Sequence, residues 1–131
     1  MPEQLQSKPV RLPSPDHPIT IERNSSRVLV WAGGNLLADT RDAVTLREAS
    51  YQPVEYVPIE DVDRSLLVET DHTTYCPYKG DCNYYSIAGQ PSGANAVWEY
   101  RDPYPAVAAI KGRVAFYPGR VEKIEQRAEE R

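Results

Sequence analysis

Hydrophobic and polar residues along this chain either alternate or come in short apolar bursts, and they seldom recur at helical spacing. Ile19-Thr20-Ile21-Glu22 alternates and predicts a strand, with Asn24-Ser25-Ser26 turning the chain after it. Arg27-Val28-Leu29-Val30-Trp31-Ala32 is strongly β-prone and has too few polar breaks to be exposed on both faces. Gly33-Gly34-Asn35 predicts a hairpin, and Leu36-Leu37-Ala38-Asp39-Thr40 returns as the partner strand. Further strands are expected over 43–48, over 53–58 with a proline at each end, over 82–87, over 94–100 and over 113–117. In the run Ala94 to Tyr100, Ala96, Trp98 and Tyr100 fall on one face.

Two stretches change period. In Pro58 to Leu67, Val62 and Leu66 are four apart and acids fill the first turn, which predicts one or two helical turns. Ala106 to Lys111 predicts a short helix ended by Gly112. About eight short strands at regular turn spacing therefore predict a mainly β domain of bent antiparallel sheets, with one or two short helices. Residues 1–18 contain Pro2, Pro9, Pro13, Pro15 and Pro18 and are expected to form an extended arm. Residues 119–131 are expected to be a charged tail, leaving 19–118 as the domain.

Composition narrows the class. With 131 residues, one domain with its own core is expected. The net charge of −4 and the scattered Lys and Arg do not make a nucleic-acid footprint. There is no apolar run of membrane-spanning length, and residues 1–8 have no apolar segment of the signal-peptide kind. Two cysteines in such a chain point to a reducing cytoplasm and to free thiols.

The densest candidate chemistry lies in Thr73-Thr74-Tyr75-Cys76-Pro77-Tyr78-Lys79-Gly80-Asp81-Cys82-Asn83-Tyr84-Tyr85. Pro77 pushes Cys76 towards an extended backbone, and Gly80 allows a tight turn over 78–80. Cys76 and Lys79 then stand at the two ends of a strand-to-strand turn, where an ammonium favours a thiolate. A small buried thiol beside a solvated lysine is the plainer alternative. A zinc site of His72, Cys76 and Cys82 would need a fourth ligand, and C-x5-C is not a zinc-pair spacing. Asp61-Val62-Asp63 has the spacing of a magnesium-holding carboxylate pair, yet acids are also common in a first helical turn. No metal and no cofactor is assigned.

Several stretches together resemble the family called domain of unknown function 427. They are Gly34-Asn35-Leu36-Leu37-Ala38-Asp39-Thr40, Leu46-Arg47-Glu48, Tyr56-Val57-Pro58-Ile59-Glu60-Asp61-Val62 and Thr74-Tyr75-Cys76-Pro77-Tyr78-Lys79-Gly80. Ala96-Val97-Trp98-Glu99-Tyr100-Arg101-Asp102-Pro103 and Ile110-Lys111-Gly112-Arg113-Val114-Ala115-Phe116-Tyr117 continue the resemblance, which covers roughly residues 19–118. It implies a β-tent, or Mss4-like, fold in which two antiparallel sheets meet at an angle. The zinc-bearing relatives of that fold use paired C-x2-C motifs, which this sequence lacks. Some classifications give the family a nucleotidyltransferase label, and no established reaction comes with it.

On such a fold, Tyr84, Trp98, Tyr100, Phe116 and Tyr117 are expected to line an apolar cleft. Arg27, Glu48 and Lys79 would be its polar groups. The leading expectation is the binding of an unidentified small molecule there. The alternatives are an enzyme centred on Cys76 and Lys79 with Glu48 or Tyr84 moving protons, nucleotidyltransferase-like activity, and a protein-interaction module that docks through its arm and tail.

Overall fold

The computed structural model describes residues 8–128. Ten strands form two antiparallel sheets. They are β1 (Ile19–Arg23), β2 (Arg27–Ala32), β3 (Asn35–Thr40), β4 (Val44–Glu48), β5 (Val54–Pro58), β6 (Leu67–Cys76), β7 (Gly80–Ile87), β8 (Val97–Glu99), β9 (Arg113–Phe116) and β10 (Lys123–Arg127). The large sheet runs β1-β4-β5-β9-β8-β7-β6, and the small sheet runs β10-β2-β3. All the pairings are antiparallel, as expected from short alternating strands joined by turns. Short 3₁₀ turns cover Ile59–Asp61, Arg64–Leu66 and Pro105–Ile110, where helical turns were expected. Among the described residues no helix is long and apolar enough to cross a membrane.

The large sheet has apolar residues on both faces, so it separates two cores. One face contributes Val57, Val97, Val114 and Phe116, which meet Val28 and Val30 of the small sheet. The other face contributes Leu46, Tyr56, Tyr84 and Ala115, which pack with Val107 and Ile110 from the 3₁₀ segment. The period of two explains the division, because Val97 pairs with Phe116 while Trp98 pairs with Ala115 and Tyr84. Neighbouring residues therefore enter different cores.

The structure adds two strands to the sequence reading. The sequence places an extended Cys76 before a strand-to-strand turn without giving that strand a range, and Leu67–Cys76 is the longest strand and one edge of the large sheet. Its polar residues suit an edge, where side chains remain in water. The stretch set apart as a charged tail contributes β10, which pairs with β2 from Lys123↔Trp31 to Arg127↔Arg27. Lys123, Glu125 and Arg127 alternate along one face and pair there, at 3.6 Å for Lys123–Glu125 and 2.6 Å for Arg127–Glu125. Ile124 turns the other way and packs on the core. The partner strand lies almost a hundred residues away, so no local pattern could announce it.

Among residues 8–18 of the proline-rich stretch, Ser14 and His17 bond each other across a tight turn, and the stretch is fastened to the domain. Arg11 N–H donates to Pro77 O at 3.0 Å, Tyr75 Oη donates to Pro9 O at 2.7 Å, and Lys8 pairs with Asp81 at 2.6 Å.

Candidate functional site

Two tight connections put a lysine and a carboxylate against each other. Lys79 N–H donates to Cys76 O at 3.2 Å, which closes the turn between β6 and β7. Gly80 follows at φ +112°, a backbone that side chains rarely adopt. A Cβ there would meet Asp102 O at an ordinary 3.5 Å, so the difficulty is conformational and not steric. Gly80→Ala is expected to cost about 1–2 kcal/mol by chemical denaturation. A cost within error of zero would mean that the turn relaxes freely.

The turn aims Lys79 at Glu48, the last residue of β4. Their side chains are 10% and 12% exposed, and Lys79 Nζ lies 2.5 Å from Glu48 Oε1. The second carboxylate oxygen bonds His17 Nε2 at 2.7 Å. His17 comes from the arm, just beyond the Ile19↔Glu48 pair that starts the β1–β4 ladder. Its ring stacks flat on Tyr78, with centroids 4.0 Å apart. Sequence reasoning assigned His17 no role; only the register of β1 on β4 brings it to Glu48.

Burial pushes the Glu48 carboxyl up, but the Lys79 hydrogen bond, the His17 hydrogen bond and both charges pull it down further. The result lies below the usual carboxylate range. A carboxyl with a lower pKa in the folded state stabilises the fold fully above its unfolded value. That contribution fades as pH falls through the folded value. The wild-type protein is thus expected to lose more stability than Glu48→Gln between about pH 6 and about pH 3. Urea midpoints would show this, and parallel losses in the two proteins would rule it out.

Beside this pair lies a cavity of about 230 Å³ walled by Tyr51, Tyr56, Tyr84, Trp98, Tyr100 and Tyr117, with Lys79 and Glu48 also in its lining. The rings hold one another. Trp98 stands edge-on to Tyr56 at 6.4 Å and donates from Nε1 to the Tyr56 oxygen at 3.1 Å. Tyr117 tilts against Trp98 at 4.5 Å. The Tyr84 hydroxyl meets Thr74 Oγ1 at 2.9 Å. Burial raises the pKa of Tyr56, Tyr84 and Tyr100, so each presents an O–H and not a phenolate. Lys79 Nζ also lies 6.0 Å from the centroid of the Tyr100 ring.

Of the residues predicted for the cleft, Glu48, Lys79, Tyr84, Trp98, Tyr100 and Tyr117 are together. Two are elsewhere. Arg27 lies on the small sheet and grips Asp39 with two bonds, of 2.8 and 2.7 Å. Those bonds hold Asp39 below its ordinary pKa. Phe116 points into the inter-sheet core, because it is one residue out of phase with Tyr117 and Ala115. Tyr51 and Tyr56 were missed, although Tyr56 shares a face of β5 with Val54, and all three line the cavity. Alternation along 53–58 was the available signal.

Cys76 Sγ lies 3.7 Å from Lys79 Nζ, but the thiol packs into the core behind the cleft and is not part of its wall. Cys82 is 1% exposed, and burial raises its pKa. Both are free thiols. Asp61 accepts from Thr40 Oγ1 at 2.7 Å, while Asp63 caps the next 3₁₀ turn through Ser65, so the two carboxylates serve different local bonds. Among the described residues, no three of His, Cys, Asp and Glu gather into a metal cage.

A family model described as domain of unknown function (DUF427) matches residues 20–127. No curated protein matches the chain.

Proposed function

The chain belongs to the family of domains of unknown function DUF427, and on that premise we propose that it binds a small molecule in the ring-lined cleft. The convergence of six aromatic side chains and a lysine–carboxylate pair on one cavity carries this reading. Rings fixed by one another offer a flat contact surface at little entropic cost. Lys79 and the phenols supply hydrogen-bond donors at defined places. The two sheets, large and small, are compatible with the β-tent arrangement, and the free thiols support residence in a reducing cytoplasm.

A thermal-shift screen of small aromatic and carbonyl compounds tests this reading, with Trp98→Ala as the comparison. Hits on the wild-type protein are expected to bind the variant at least about tenfold more weakly, since a buried ring contact is worth roughly 1.5–3 kcal/mol. Hits that bind both proteins equally would refute the cleft assignment.

A second reading is a thiol enzyme, and the 3.7 Å approach of Lys79 Nζ to Cys76 Sγ favours it. It requires the lysine to activate the thiol. Alkylation of Cys76 by iodoacetamide, in a Cys82→Ser background, would then slow at least about tenfold in Lys79→Met. Equal rates would remove the enzyme reading and leave the binding one intact.

A further inference from the structure

A second cavity of about 450 Å³ lies between the two sheets, lined chiefly by Val28, Val30, Val57, Phe116 and Ile124. It shares Gln52, Val54 and Trp98 with the ring-lined cleft. The strand pairing explains the shared wall. β5 and β9 pair only at Val57↔Val114 and Pro58↔Arg113. Towards the start of β5 the ladder to β9 lapses, so Val54, still paired with Leu46 of β4, lines the cavity with Phe116 and Pro118 and has no partner on β9. The large sheet is therefore interrupted at this point, and Trp98 stands at the interruption with a wall in each cavity. Its indole N–H reaches across to the Tyr56 hydroxyl, bridging β8 and β5 where β9 and β5 no longer pair.

The two cavities differ in chemistry. The first has an ammonium and several phenols in its lining. Both oxygens of Glu48 already accept a bond, one from Lys79 and one from His17. Tyr56 accepts from Trp98 and so keeps its own proton to donate. What this cavity offers a ligand is donors, and their complement is an acceptor such as a carbonyl or carboxylate oxygen. The second cavity is lined mainly by aliphatic groups, with Glu55 and Gln126 at its polar margin. Its complement is hydrocarbon.

We infer that the two cavities form one site for a chain amphiphile, with a carbonyl or carboxylate head beside Lys79 and a hydrocarbon tail passing Trp98 into the space between the sheets. The inference rests on the proposed cleft and adds the class of its ligand. Trp98 would have to give way for the tail: its backbone is fixed by ladders to β7 and β9, but its side chain is held by one indole hydrogen bond and two ring contacts, so a change of rotamer would open the passage.

The test is calorimetric titration of the whole chain with butanoate, hexanoate and octanoate, and with octanamide and octylammonium at the longest length. Affinity is expected to rise about fourfold for each methylene added, the increment for burying one such group. Octanamide should bind and octylammonium should not. Ile124→Trp fills the apolar cavity from a half-buried position, so it should flatten the length dependence while leaving butanoate binding in place. In ¹H–¹⁵N and methyl spectra, butanoate should shift the Trp98 indole signal, and octanoate should add shifts at Val57 and Ile124. Butanoate and octanoate binding equally, with shifts confined to the cleft, would overturn the amphiphile inference and spare the cleft. Octylammonium binding as well as octanoate would overturn the head-group assignment. If no compound shifts Trp98, both the cleft and its extension fail.

Discussion

Replacing Lys79 with methionine is expected to lower the unfolding free energy by about 2–3 kcal/mol, somewhat less than the 3–5 kcal/mol seen when a fully buried ion pair loses one partner. The substitution keeps most of the volume and removes the charge. Glu48, 12% exposed, is then left with only His17 as a partner. Glu48→Gln should be destabilising as well, because it leaves the Lys79 ammonium among Tyr100 and the core residues without its carboxylate. The double substitution Glu48→Gln/Lys79→Met should be more stable than the sum of the single losses predicts, by about 1 kcal/mol or more. Urea denaturation of the four proteins supplies the cycle. Additive losses would show that the pair behaves as two independent surface charges, and the electrostatic account of the cleft would fall with it.

A chain ending at Gly119 is expected to lose more than about 3 kcal/mol, a large part of the 5–15 kcal/mol typical of a domain. The cut removes all of β10 and with it one of the two partner strands of β2. Val28 and Val30, which have no exposed surface, would lose the cover of Ile124, and the β2 edge would stand open to other chains. Ile124→Asp probes the same contact with the backbone intact, and it should cost about 2–3 kcal/mol by setting a charge against the inter-sheet core. A truncated protein that melts within about 2 °C of the full chain would show that β10 contributes little, since about 1 kcal/mol already shifts a domain of this size by several degrees.

Much of the fold is legible in local pattern. The run 27–32 folds as the strand it spells, and the glycine pair after it turns a hairpin with φ of +58° and +81°. The turn at 76–80 is legible for the same reason, because proline and glycine act through their own backbone. Trp98 and Tyr100 reach the same cleft, as the alternation predicts, whereas Ala96, expected on their face, enters the inter-sheet core. β10 was not legible, because its five residues gain their stability from β2 and from charge pairs across alternate positions. Phe116 was misplaced by one step of the pleat: a run of two aromatic residues leaves open which of them faces which core.

By itself, then, the sequence determined a mainly β domain, the placing of most of its strands and turns, and a set of rings on alternating positions. Those outcomes depend on φ/ψ preference and on a period of two, which are properties of neighbouring residues. The tertiary structure decided which residues meet. The β1–β4 register brings His17 to Glu48, the turn before β7 brings Lys79 to the other oxygen, and Arg27 is spent on Asp39 in the other sheet. It also decided that β5 and β9 pair for only two positions, near Val54 and Trp98, which line cavities on both faces of the large sheet. Such contacts depend on how strands distant in sequence order and align, and alternation within each strand is compatible with many alignments.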